Sequence, residues 1–307
     1  WPSIRTRFMD FSLDWFMLPV STLVATTAML SGIGGAAMFT PIFLIGFPLL
    51  GPEYLLPSAV AAIGVALLTE TFGFSSGFVG YYRKRLIDFR GALPFIAAGV
   101  PFGILGAIVA QDLPGPVIKG AYAILMLLIA VILYRHHAQP TESASATAGA
   151  AAGGNQTGHI MHTITGRDGT VYRFRRPRQG IGIFATGLGA FLTGIASVGI
   201  GESVMPQLVR RNRVPIPVAA ATSVFVVIVI VAATSFTLIS ELIREGGASA
   251  VPWHLVAYTI PGVIIGGQIG PRLQGKIPVR MMELGVATLF LAISIAMAWL
   301  VWAEISS

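Results

Sequence analysis

"SGIGGAAMFTP", residues 31–41, places Gly32, Gly34 and Gly35 within four positions, between two apolar stretches of a chain that is greasy almost throughout. Of its 307 residues 54% are hydrophobic and 11% charged, whereas a soluble domain carries about 25% charged residues. Segments 55–82, 92–110, 117–134, 214–240 and 281–302 approach or exceed the length needed to cross a bilayer, roughly 20 apolar residues for a core about 30 Å thick. The chain therefore reads as an all-α polytopic membrane protein. The question is why helix-breaking residues sit in the middle of a span.

The same pattern recurs. Pro57, Pro101 and Gly106 match Pro217, Pro261 and Gly266 at a displacement of 160, and the stretch ending at Pro41 matches "IGESVMP" ending at Pro206 at a displacement of 165. The reading is two membrane repeats, 1–135 and 180–307, joined by a linker at 136–179. Internal duplication is a common way of building secondary transporters. Within the linker, a small, polar, low-complexity stretch reads as flexible. After it, "HIMHTITGRDGTVYRFRR" alternates apolar and polar residues around Arg167-Asp168-Gly169, which predicts a β-hairpin.

Loop charge orients the repeats. Basic clusters lie at Arg83-Lys84-Arg85 with Arg90, along the linker, at Arg210-Arg211-Arg213, and at Arg272, Lys276 and Arg280. If segments 13–30 and 181–196 each crossed fully, the last two clusters would fall outside, against the positive-inside rule. If each glycine break is instead the tip of a hairpin that returns to its own side, every dense cluster becomes cytoplasmic, with Arg5 and Arg7 as the exceptions. The expected fold is then two inverted-topology repeats, each a broken-helix hairpin plus three transmembrane helices. The +7 net charge belongs to those loops and does not call for nucleic acid.

A hairpin tip at bilayer depth survives only buried in protein or lining a cavity. The helix restarting beyond it aims free N–H groups and a positive dipole end inward, so two opposed tips form a site for a small anion. The substrate-binding candidates are Ser31, Gly32, Gly34 and Gly35 at the first tip; Ser197, Gly199, Gly201 and Ser203 at the second; and Thr222, Ser223 and Gln268 on later spans. Thr40 also flanks the first tip. Glu70 and Glu202 are costly in hydrocarbon, so each is a candidate to carry a coupling proton. By contrast, Gly262, Gly266 and Gly270 recur every fourth residue, which suits close helix packing. "GFSSG" at 73–77 has a nucleophile-elbow pattern but no strand-turn-helix context. No cysteine exists, and the linker histidines lack acidic companions, so no metal, cofactor or catalytic residue is assigned.

"GIGGAAMFTP" (32–41), "SSGFVGYYRKRLIDFRGAL" (75–93) and "VPIPVAAATS" (214–223) together resemble the TauE/SafE sulfite exporter family, also called the toluene-sulfonate uptake permease family. The resemblance implies secondary transport of small sulfur-containing anions such as sulfite or organosulfonates like sulfoacetate. Two features depart from the family pattern: Glu202 stands where a small or apolar residue is usual, and the linker is long. The expectation is a carrier of the cell inner membrane with a cytoplasmic linker and a small anion and the lipid bilayer as partners. The rival readings are a passive anion channel, a carrier of small carboxylates, a membrane enzyme and a non-transporting scaffold. The anion, the direction of transport and the oligomeric state, a homo-oligomer included, stay open.

Overall fold

The computed structural model describes residues 13–31, 34–135, 161–175, 180–211, 214–273 and 279–306. The first half contains α1 (Met17–Ser31), α2 (Ala36–Pro41), α3 (Phe47–Leu50), α4 (Ala59–Arg83), α5 (Phe89–Asp112) and α6 (Gly115–Arg135). A two-stranded antiparallel ribbon follows, β1 (Met161–Thr165) with β2 (Val171–Arg175). The second half contains α7 (Gly180–Ala196), α8 (Ile200–Pro206), α9 (Ile216–Gly246), α10 (Trp253–Leu273) and α11 (Val279–Ser306). Among the described residues, α4, α5, α6, α9 and most of α11 are long and apolar enough to cross a membrane.

Local chemistry sets the ends of these helices. Ser58 accepts from the Ala61 N–H at 3.0 Å and starts α4, and Asp88 accepts from the Gly91 N–H at 2.9 Å and starts α5. Each cap satisfies one of the donors that a helix N-terminus leaves open. After both glycine breaks the short half-helix holds a proline in its last position, Pro41 or Pro206, and widens into a π turn, at Ile42–Gly46 or Gln207–Arg211. A proline removes a helical N–H and crowds the preceding carbonyl, and a wider turn relieves that crowding. The two π turns are displaced by 165 residues, the same as the two prolines.

The helix pairs interchange when the halves do. α1 packs along α10 while α7 packs along α5; α9 lies against both α4 and α5, and α4 against both α9 and α10; α6 packs along α11. Small residues make the first two pairings close. A methyl on Gly266 would lie 2.8 Å from the Ala25 Cβ of α1, and one on Gly194 would lie 2.5 Å from the Ala107 nitrogen of α5. In these interfaces glycine acts as a packing surface, as the spacing of Gly262, Gly266 and Gly270 predicts. Thr22 strengthens the α1 pairing with a hydrogen bond to the Gly262 carbonyl at 3.1 Å.

The ribbon turns at Gly166–Gly169, where Gly169 has φ 81° and the Asp168 carboxylate accepts from the Thr170 N–H at 3.1 Å. The Thr170 hydroxyl, and after it the Thr170 N–H, hold the Asp168 carboxyl below its usual range. The ribbon docks on the loop between α4 and α5: the Arg167 N–H bonds to the Lys84 carbonyl at 3.1 Å, Tyr172 packs on Leu86 and Ile87 beside Phe225, and Phe174 is buried.

Candidate functional site

The residues that follow the two breaks come together. At the second, Ser197 and Gly199 take the left-handed backbone, with φ 56° and 137°, and the chain reverses between α7 and α8. Gly199 is required there twice over. A side chain would be strained at that φ, and its Cβ would lie 2.6 Å from the Gly189 carbonyl oxygen. At the first break Gly34 and Gly35 are buried, and a Cβ on Gly201 would sit 3.3 Å from the Gly34 nitrogen. The N-termini of α2 and α8 therefore abut.

Carboxylates stand at both N-termini. Glu202, in the first turn of α8, accepts from the Gly199 N–H at 3.0 Å and from the Gly34 N–H at 3.4 Å, so one side chain links both tips. Glu70, buried on α4, lies against the backbone N–H groups of Gly35 and Ala36. An ideal Cβ on Gly34 would fall 2.9 Å from a Glu70 oxygen and 3.6 Å from a Glu202 oxygen. Two acids therefore converge on one glycine, close enough to repel each other when both are charged. Each half-helix start has the anion that its dipole favours, supplied by the protein itself.

Hydroxyls complete the junction. The Thr40 and Ser197 hydroxyls share a hydrogen bond of 2.6 Å across the two breaks, and Ser197 also reaches the Ala36 carbonyl at 3.5 Å. Thr193 of α7 donates to the Gly189 carbonyl and accepts from the Ile200 N–H at 2.8 Å, capping α8. The buried Tyr122 of α6 donates to the Ala37 carbonyl of α2. Sequence reasoning missed Thr193 and Tyr122. Thr193 sits seven residues from the donor that it caps, and Tyr122 comes from a helix with no other mark of function.

Among the sequence candidates, Gly34, Gly35, Ser197, Gly199, Gly201, Glu70 and Glu202 come together at the junction. Ser203 sits in α8 but returns its hydroxyl to the Gly199 carbonyl of its own helix, the commoner fate of such a group. Gly32 and the Ser31 side chain lie outside the described residues. Two further candidates have hydrogen-bond partners in other elements. Thr222 accepts from the Asp88 N–H at 3.0 Å and so holds the α4–α5 loop. Gln268 donates to the Ser76 carbonyl at 2.7 Å and to its hydroxyl at 2.9 Å, tying α10 to α4. Ser75 and Ser76, the centre of "GFSSG", lie inside α4 and donate to the carbonyls of Thr71 and Ile264.

A cleft of about 80 Å³ approaches the junction. It is walled by Met29 and Leu30 at the end of α1, Phe74 and Tyr81 of α4, Met205 of α8 and Ser223 of α9, with Gly201 in its lining. Tyr81 lies one helical turn from the basic segment 83–85, so the cleft runs between the tips and the face that carries those arginines.

Comparison with known proteins follows the same residues. The profile of the sulfite exporter TauE/SafE family matches residues 17–297, which include both breaks. A curated relative, described as a probable membrane transporter protein YunE of Bacillus subtilis (strain 168), is 24% identical over 272 residues, covering 87% of this chain and 91% of the relative. No solved structure matches the chain.

Proposed function

Because the chain belongs to the sulfite exporter TauE/SafE family of membrane transporters, we propose that it is a secondary carrier of small sulfur-containing anions, sulfite or an organosulfonate such as sulfoacetate, coupled to protons. The observation that carries this reading is the Glu202 carboxylate bridging the Gly199 and Gly34 N–H groups. Those donors suit an oxyanion, and a resident anion holds them. A substrate anion must displace it.

Displacement is costly while Glu202 is charged, because carboxylate and substrate would then share one poorly hydrated junction with Glu70. A proton on Glu202 weakens its hold on the N–H groups and removes the repulsion, so proton and anion occupy the site together. Glu70 serves the first tip in the same way, through Gly35 and Ala36. The two repeats are then inverted about the junction. The interchange of helix pairs and the 165-residue displacement of proline and π turn support that arrangement. In this reading the protein is a multi-pass carrier of the inner membrane with its ribbon in the cytoplasm, the cleft beside α1 opens to that side, and alternating access opens the other.

A carrier of small carboxylates is a second reading, favoured by one observation: the group now occupying the donors is itself a carboxylate. Both readings are tested in proteoliposomes loaded with labelled sulfite, sulfoacetate or acetate. A sulfur anion should move faster under an imposed pH gradient, and the double variant Glu70→Gln/Glu202→Gln should lose that acceleration. Movement of acetate alone would overturn the sulfur assignment. Flux indifferent to the gradient, and intact in the double variant, would make the protein a passive channel.

A further inference from the structure

Outside the junction, three arginines line one cavity where no substrate role has been assigned. Arg83 ends α4, Arg85 follows in the left-handed backbone with φ 56°, and Arg167 tops the turn of the ribbon. With Tyr82, Ile87 and Phe89 they line a cavity of about 480 Å³. One wall comes from the α4–α5 loop and the other from a ribbon some 80 positions later, held there by the Arg167 to Lys84 backbone hydrogen bond and by Tyr172 on Leu86 and Ile87.

Basic side chains dominate the polar lining of the cavity. Among the described residues no carboxylate forms an ion pair with Arg83, Arg85 or Arg167. The two nearest acids in sequence are used locally: Asp88 caps α5 through the Gly91 N–H, and Asp168 accepts from the Thr170 N–H. Arg85 accepts a backbone conformation unusual for a side-chain-bearing residue, which costs of order 1 kcal/mol or more and persists only where the surroundings hold it. Tyr82 is 60% exposed and Phe89 44% exposed beside the arginines. Aromatic rings next to cationic groups at the end of a spanning helix mark the level where bilayer gives way to water.

We propose that this cavity binds a phosphoryl group, and that the bound phosphate clamps the ribbon to the α4–α5 loop. Guanidinium forks match phosphate oxygens in pairs, and three of them can hold a phosphoryl group from several sides, whether it is the singly charged diester of a lipid headgroup or free phosphate. The same chemistry is offered by a free phosphate and by the headgroup of an anionic lipid. The clamp has a consequence for the cleft: Tyr172 packs in the cluster that includes Tyr81 and Phe225, and Tyr81 lines the cleft to the tips. The proposal does not depend on the identity of the transported anion.

Hydrogen exchange at the backbone amides of residues 171–175 tests it on the full chain. One arm titrates inorganic phosphate onto protein in phosphatidylcholine nanodiscs; the other compares those discs with discs containing phosphatidylglycerol. Slowed exchange with inorganic phosphate identifies a soluble ligand, and slowed exchange with phosphatidylglycerol identifies a lipid headgroup; either supports the site. Arg83→Gln and Arg167→Gln should each weaken the effect by about tenfold, the loss of one charge-assisted contact. Arg135→Gln, an exposed arginine outside the cavity, should keep it. If Arg167→Gln already exchanges fast without ligand, Arg83→Gln decides, since it leaves the ribbon's own contacts in place. No slowing in either arm, or equal loss in Arg135→Gln, would overturn the proposal.

Discussion

At the second tip the capping carboxylate belongs to the half-helix itself, as Glu202; at the first, the equivalent position is Ala37, and the carboxylates come from other elements, Glu202 bonding to the Gly34 N–H and Glu70 of α4 lying beside Gly35 and Ala36. The backbones differ in the same sense. Gly199 turns in the left-handed region and a Cβ there would press on the Gly189 carbonyl, whereas a Cβ on Gly34 would meet the side chains of Glu70 and Glu202. One tip is thus closed by its own chain and the other by its neighbours. The first tip is the one whose carboxylates can be withdrawn by moving a different helix.

The sharpest test pairs the glycines. Gly199→Ala forces a side chain into a left-handed backbone and against a carbonyl oxygen at 2.6 Å; strain alone should cost roughly 1–3 kcal/mol, with loss of both folding yield and transport. Gly34→Ala meets a Glu70 oxygen at 2.9 Å, the end of a flexible side chain that can swing aside. Its stability loss should stay under about 1 kcal/mol, while transport falls because the Glu70 cap is displaced. Thermal unfolding in detergent together with proteoliposome flux measures both. Equal destabilisation by the two variants would erase the distinction between the tips.

Much of this was legible before any coordinates. The glycine breaks, the proline that follows each, and the long apolar spans are local signals, set by backbone sterics and by hydropathy over a window. The Arg167-Asp168-Gly169 turn is local too, and the ribbon forms around it. What could not be read was partnership. "SGIGG" announces open N–H donors but not that Glu70, more than thirty positions later, would lie against them. Thr222 and Gln268 have the right chemistry for an anion site, but no local pattern tells that their partners are the Asp88 N–H and Ser76. Side-chain hydrogen bonds are settled by tertiary distance, and a single sequence carries that only where both partners share one helix turn, as Glu202 and Gly199 do.

A smaller effect separates the hydroxyls. Thr193→Val takes the acceptor from the Ile200 N–H, a cap within the second tip, and should cost about 1–2 kcal/mol. Thr40→Val breaks the bridge between tips but leaves Ser197 able to turn to the Ala36 carbonyl at 3.5 Å, so about 0.5–1.5 kcal/mol is expected. Hydrogen exchange of the amides in α2 and α8 should show the first variant loosening α8 alone and the second loosening both. If Thr193→Val loosened α2 as strongly as α8, the second tip would not be the self-contained unit described above.

The helices that lead into the tips differ as well, and here pH is the probe. Asp14, just before α1, is 2% exposed and lies 3.3 Å from His254 of α10; among the described residues α7 has no such ion pair at its start. Burial raises the Asp14 carboxyl above its usual value, and the charge of His254 only partly opposes that. A carboxyl raised in the native state binds its proton more tightly there than in the unfolded chain. Its contribution to stability is therefore complete below about pH 4, near the unfolded value, and is lost as pH rises through the native one. Asp14→Asn should remove this dependence: stability should change little at pH 4, and the decline on going to pH 7 should flatten, a difference on the order of 2 °C in Tm. Exchange of amides early in α1 should follow the same pH course in the native sequence and lose it in the variant, while α7 shows neither. A pH response shared by α1 and α7 would mean that the approach to the first tip has no independent tether.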